Sequence, residues 1–232
     1  MPRWTTGTAA LLLLACEPTP TVPELAPLPA PTAEEAAATD AGFDREGLSE
    51  GEAAFHTMMD ALTSPRCVNC HPSDGAPKQT DRARPHLFGV RGGPENHGTE
   101  ALTCGTCHQP SNNLHSGVPG APHWSLAPAS MAWEGLSREA IARSMMNPES
   151  NGNRTPEDIL HHLTEHELVL WAWEPGADAS GAPRQPPPVP LETYQAAVRT
   201  WIAAGAPLPG GERLAPPGED HDASDEAGSE HE

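Results

Sequence analysis

Cys67-Val68-Asn69-Cys70-His71 and Cys104-Gly105-Thr106-Cys107-His108 share one pattern, Cys-x-x-Cys-His, with thirty-two residues between His71 and Cys104. That pattern is the one used for covalent haem attachment. The chemistry accounts for the spacing. Two thiols add across the two vinyl groups of a porphyrin to form thioethers, and the adjoining histidine sits below the iron and ligates it. Cys67, Cys70, Cys104 and Cys107 are therefore the expected attachment residues. His71 and His108 are the expected proximal ligands, and two c-type haems the expected cofactors. Other chemistries use the same thiols. A redox dithiol needs no histidine after its second cysteine. Four thiolates can hold zinc, although the gap is wider than the usual ribbon spacing. Two disulfides can form in an oxidising compartment. None of these gives a task to both histidines.

The fifth cysteine, Cys16, has a different setting. Arg3 precedes a short apolar run over residues 5–15 that ends in four leucines and an alanine. The run is too short to span a bilayer as a helix, and it has the proportions of a secretory signal. Leu13-Leu14-Ala15-Cys16 resembles a bacterial lipobox, in which the cysteine receives a diacylglycerol and becomes the new N-terminus. Acyl chains then anchor the protein, each buried methylene adding about 0.8 kcal/mol. The expected organisation is a lipoprotein signal peptide over 1–15, a Pro-rich tether over 16–41, a dihaem domain over 42–209 and an acidic disordered tail over 210–232. The expected location is the periplasm-facing membrane surface of a Gram-negative bacterium, held there by lipid. Export agrees with the haem motifs, because bacteria attach c-type haem outside the cytoplasm.

Pro (28) and Gly (21) are abundant among the 232 residues, and aromatic residues are few. Such a chain has little side-chain material with which to offset its conformational entropy. Two porphyrins would supply apolar surface that the side chains lack. The fold class expected is mostly α with extensive irregular loops, a small dihaem cytochrome c domain organised around covalent haems. The formal net charge of −19 argues against nucleic acid as a partner. It suits an acidic carrier that meets basic partners. Part of it comes from residues 219–232, which hold seven acids and no Lys or Arg.

Four helices are predicted. Ser49 and Glu52 form a capping-box pattern, and Phe55, Met58, Met59 and Leu62 follow at helical spacing, with Pro65 as a stop. A second helix spans 137–146, ended by Pro148. A third starts at Thr155, with Pro156 at its first position and Asp158 three residues after the cap. Ile159, Leu163 and the stretch 168–173 continue it or pack after it. In the last, Tyr194, Ala197, Val198, Trp201 and Ile202 share a face, and Gly205 and Pro207 end it. Residues 66–133 read as loop, with no strand alternation.

The sixth iron ligands are less determined. Of twelve histidines, two are proximal, and His221 and His231 lie in the acidic tail. His56, His86, His97, His115, His123, His161, His162 and His166 are left, with several methionines. His86, between the two motifs, is the first choice. His162 is the second, sharing a helical face with Ile159 and with His166 one turn on. Met131 is the third. Two histidines per iron would give a lower potential than histidine with methionine.

The chain resembles the small bacterial dihaem proteins often labelled as an isoquinoline 1-oxidoreductase subunit, companions of molybdenum hydroxylases. The matching pieces lie within residues 66–207. They include Arg66-Cys67-Val68-Asn69-Cys70-His71-Pro72, Arg84-Pro85-His86, Cys104-Gly105-Thr106-Cys107-His108-Gln109, Gly120-Ala121-Pro122-His123-Trp124 and Leu168-Val169-Leu170-Trp171-Ala172-Trp173. The family pattern carries the same residues at His86, Met131 and His162. It departs at His123-Trp124-Ser125, where the family often has Asn-Trp-His. The resemblance implies an electron-transfer protein that accepts or relays electrons for a partner, a molybdenum hydroxylase-type dehydrogenase or another cytochrome. The alternative is a dihaem peroxidase-like enzyme, which needs one iron with an open site.

Overall fold

The computed structural model describes residues 47–216. The expected signal peptide, Cys16, the tether and the acids beyond 216 lie outside the described residues. Among those described, the chain is mostly helical with short strands and long loops. It holds seven α-helices: α1 (Glu50–Leu62), α2 (Pro65–Val68), α3 (Arg138–Met146), α4 (Pro148–Asn151), α5 (Pro156–Glu165), α6 (Glu167–Leu170) and α7 (Leu191–Ala203). No helix among them is long and apolar enough to cross a membrane.

The predicted helix starts are found at the residues that cap them. The Ser49 hydroxyl accepts from the Glu52 N–H, and the Glu52 carboxylate accepts from the Ser49 N–H at 3.0 Å. Thr155 and Asp158 repeat that exchange at the start of α5. Ser137 caps α3 through the Ala140 N–H. α7 ends in a Schellman arrangement. Gly205, at φ 81°, donates to the Ile202 carbonyl, and Ala206 donates to that of Trp201. Two expected stops are also starts. α1 already ends at Leu62, and Pro65 opens α2; Pro148 likewise opens α4. Proline lacks the N–H that a first-turn residue would leave unbonded anyway. Residues 168–173 do not extend α5. His166 turns to an extended conformation (ψ 124°), and α6 and a 3₁₀ turn follow.

α1 packs along α7, and their apolar faces form the centre of the core. Phe55, Met58, Met59 and Leu62 of α1 meet Tyr194, Val198 and Trp201 of α7, all buried. Ile141 and Met145 of α3 and Ile159 and Leu163 of α5 close the same cluster. The helices approach closely where α1 begins. A Cβ on Gly51 would lie 2.6 Å from the Pro207 ring and 2.7 Å from the Ala204 Cβ. The folded chain continues past 209. Leu214 and Ala215 return to bond the carbonyls of Ala206 and Gly205, and Glu212 pairs with Arg143 at 2.6 Å.

The region read as loop holds two small antiparallel hairpins. β1 (Lys78–Gln79) pairs with β2 (Arg84–Pro85), and β3 (Gly98–Thr99) with β4 (Leu102–Thr103). Two-residue strands cannot show an alternation of period two, so no sequence pattern announces them.

Phe55→Ala, which opens a cavity at the α1–α7 seam, is expected to cost about 3–5 kcal/mol, against about 1 kcal/mol for Thr155→Ala at the cap of α5. Urea denaturation of the two variants checks this. Equal losses would contradict the placement of the core.

Candidate functional site

Both Cys-x-x-Cys-His motifs form a single helical turn. In the first, α2 carries Cys67, Cys70 donates to the Cys67 carbonyl and His71 to that of Val68. In the second, a 3₁₀ turn over Cys104–Thr106 is closed by Cys107 and His108, which both donate to the Cys104 carbonyl. A helical turn sets residues three apart on one side. Each pair of thiols therefore shares a face, with the histidine directly after it. All four cysteines are free thiols.

The two histidines are held in the same manner. The Nδ1 of His71 lies 2.7 Å from the Met131 carbonyl oxygen, and the Nδ1 of His108 lies 2.7 Å from that of Pro119. With Nδ1–H donating, Nε2 of each ring is left with a free lone pair. Each ring also lies flat on an indole. His71 stacks on Trp133 (3.6 Å, 13°) and His108 on Trp124 (4.3 Å, 8°). Carbonyl and indole together fix the plane and the direction of each imidazole.

Main-chain bonds deliver these partners from far along the chain. Ala127 donates to the Cys70 carbonyl, and Trp133 and Glu134 both donate to that of His71, at 2.9 and 3.1 Å. Segment 127–134 is thereby zipped onto the first motif. Pro119 reaches His108 through a close crossing of backbones. A Cβ on Gly120 would lie 2.2 Å from the Gln109 carbonyl oxygen and 2.4 Å from that of Ser111. Only glycine fits there.

The first motif opens into a cavity of about 390 Å³. Cys67, Cys70, His71, Met131, Trp133 and His162 are among the residues that line it. Burial pushes the Cys67 thiol up to about 12 and that of Cys70 to about 11. Burial likewise lowers His71 to about 4. His162 is also lowered to about 4, first by burial and then by the nearby His166 and Arg154. Both imidazoles are therefore neutral, the form that binds a metal. The second site is more open. Cys107 is exposed, Cys104 is half-buried with its thiol raised by burial, and His108 is lowered by burial. Leu87 and Phe88, directly after His86 in the chain, are 62 and 84 % exposed.

The candidate sixth ligands divide between the sites. His86 comes to His108, with ring centroids 6.0 Å apart, and its Nδ1 lies 2.8 Å from the Leu87 carbonyl oxygen. Its Nε2 is the nitrogen left over. His162 lies in the wall of the first cavity with His71. Met131 joins the same site, where its carbonyl holds His71 Nδ1 and its sulfur accepts from the Ser144 hydroxyl at 3.4 Å. His97, His123 and His166 also line the first cavity. Sequence reasoning missed the roles of Trp124, Trp133, Trp171, Asn112 and Pro119. Three of the six tryptophans serve these sites, and their scarcity in so aromatic-poor a chain was the available signal.

The chain matches no protein-family model, no curated protein and no solved structure.

His71 and His162 stay neutral down to about pH 4, whereas an unfolded histidine protonates near 6.5. Unfolding then takes up protons between these values, so stability rises with pH across that window. It is full above about 6.5, falls as the pH drops towards 4, and levels off below. Melting temperatures from pH 7 to 4 check this. The slope should shrink in His71→Gln and in His162→Gln; the wild-type slope in both would contradict it.

Proposed function

We propose that this chain is an electron-transfer dihaem c-type cytochrome, with haems attached at Cys67/Cys70 and Cys104/Cys107 and ligated by His71 and His108. The observation that carries the reading is the matched handling of the two histidines: each Nδ1 is tied to a main-chain carbonyl, each ring lies on an indole and each Nε2 is free. Bonds of this kind fix the tautomer of a metal-ligating histidine and raise its basicity. A zinc site made of four thiolates, or a pair of disulfides, would leave both arrangements without a task.

Other features fit a porphyrin. The first cavity is lined by both thiols and by His71. Trp133 Nε1 and His166 Nδ1, on residues of the cavity wall, are buried without hydrogen-bond partners. Such atoms are costly unless something bonds them, and the carboxylates of a porphyrin are suitable acceptors for a donor N–H. Leu87 and Phe88, directly after His86, offer exposed apolar surface for a macrocycle to cover.

His86 is the proposed sixth ligand at the second site and His162 at the first. Two nitrogens about 2 Å from a shared metal place imidazole centres roughly 6 Å apart, and His86 and His108 stand at 6.0 Å. Met131 is the weaker candidate, because its carbonyl already holds His71 from the side of Nδ1. A bound haem supplies a one-electron ferric–ferrous couple. The residues of this chain orient the ligands, exclude water from the first site and set the charge around it. The partner is proposed to be a redox protein, of molybdenum hydroxylase type or another cytochrome. Residues 1–41 are proposed as an export signal and tether, with Cys16 lipidated.

A pyridine haemochrome spectrum of the exported protein should give two c-type haems per chain; none in a folded, exported protein would refute the reading. His86→Ala and His162→Ala should each convert one of two low-spin centres to high-spin, and an unchanged spectrum in both would refute the ligand assignment. Carbon monoxide should not bind the native ferrous form. Rapid binding would favour the peroxidase-like alternative.

A further inference from the structure

Two tryptophans outside the Cys-x-x-Cys-His motifs connect the two sites. Trp124, flat against His108, meets Trp171 edge-to-face at 4.9 Å and 79°, a favoured aromatic geometry. Trp171 in turn lines the first cavity, together with Cys67, Cys70 and His71. Aromatic contact is therefore continuous from the ring of one motif histidine to the wall of the other site.

The pair is held by polar bonds rather than by the apolar core. Neither Trp124 nor Trp171 belongs to the buried hydrophobic cluster or to the side chains packed against it. Trp171 Nε1–H donates to Asn112 Oδ1 at 2.9 Å, and the same oxygen accepts the Gly120 N–H at 3.1 Å. Asn112 Nδ2 donates to the Glu174 carbonyl at 3.0 Å. Gly120 follows Pro119, whose carbonyl fixes His108. One amide thus sets the angle of the Trp171 indole relative to the backbone that orients the second motif.

We propose that Trp124 and Trp171 form an aromatic bridge that provides electronic contact between the two haem sites. The inference rests on the dihaem reading above. The step is the internal transfer of one electron: the ferrous centre that gives it becomes ferric, and the ferric centre that receives it becomes ferrous. No proton moves, no bond forms or breaks, and neither indole is oxidised. The two π systems supply orbital overlap across a gap that saturated side chains would leave poorly connected.

The test uses the full two-haem protein with Trp171→Leu and Trp171→Phe. Haem content, low-spin electron paramagnetic resonance spectra and midpoint potentials are measured first. Redistribution of one electron between the centres is then followed after flash reduction. Exchange, compared at the driving force that each variant's own midpoint potentials define, should slow by about tenfold or more in Trp171→Leu and stay within about threefold of wild type in Trp171→Phe. Wild-type exchange in a fully loaded Trp171→Leu protein would overturn the bridge, as direct transfer between the porphyrins would then suffice. Equal slowing in both variants would also overturn it, since packing rather than π contact would be at work. If Trp171→Leu loads haem poorly, Trp171→Met, a flexible apolar residue of longer reach, takes its place under the same criteria. A wild-type chain without haem would overturn the dihaem reading itself, whereas loaded haems with unaffected exchange would remove the bridge alone.

Discussion

The bond from His71 Nδ1 to the Met131 carbonyl joins residues sixty positions apart, and the organisation of the first site follows from it. It directs the free Nε2 of His71 away from segment 127–134. The same segment bonds the Cys70 and His71 carbonyls through Ala127, Trp133 and Glu134 and lays the Trp133 indole against the imidazole. Trp133 also enters the helical core. The core formed by α1, α3, α5 and α7 is thereby connected to the orientation of a single imidazole ring.

Outside the helices, side chains bonded to main-chain carbonyls replace regular ladders. Asn69 ties α2 to Thr80, Arg184 bonds the carbonyls of Pro175, Ala177 and Gly117, and Asn112 joins Trp171, Gly120 and Glu174. Buried backbone groups must find partners, and a loop-rich chain finds them one at a time. These bonds make the long region 66–133 a defined scaffold with only two-residue strands.

The two sites differ in enclosure although their histidines are held alike. The first lies in a cavity with Arg66 and Arg154 in its wall, whereas at the second Cys107 is exposed. Charge is also unevenly distributed. Arg82, Arg84 and Arg91, all exposed, share the His86 loop in a chain whose formal net charge is −19. The local field at the second site therefore differs from the acidic average that composition alone suggests.

The four longer helices were legible in the sequence because their signals are local, whereas the single-turn α2 and α4 were not, since Pro65 and Pro148 read only as stops. Capping pairs at Ser49/Glu52 and Thr155/Asp158, apolar residues at helical spacing and a terminal Gly205 act within a few residues of one another. The two Cys-x-x-Cys-His motifs are local as well, since their geometry is one helical turn. What the sequence alone determined was thus a mostly helical chain with two Cys-x-x-Cys-His turns. Tertiary structure decided which distant residues serve them: His86 beside His108, His162 in the wall facing the His71 cavity, the carbonyls of Met131 and Pro119, and the indoles of Trp124, Trp133 and Trp171. Those pairings depend on loop paths and on backbone–backbone bonds across tens of residues. No periodicity encodes them, because a carbonyl acceptor is present in every residue and only the fold selects which one is used.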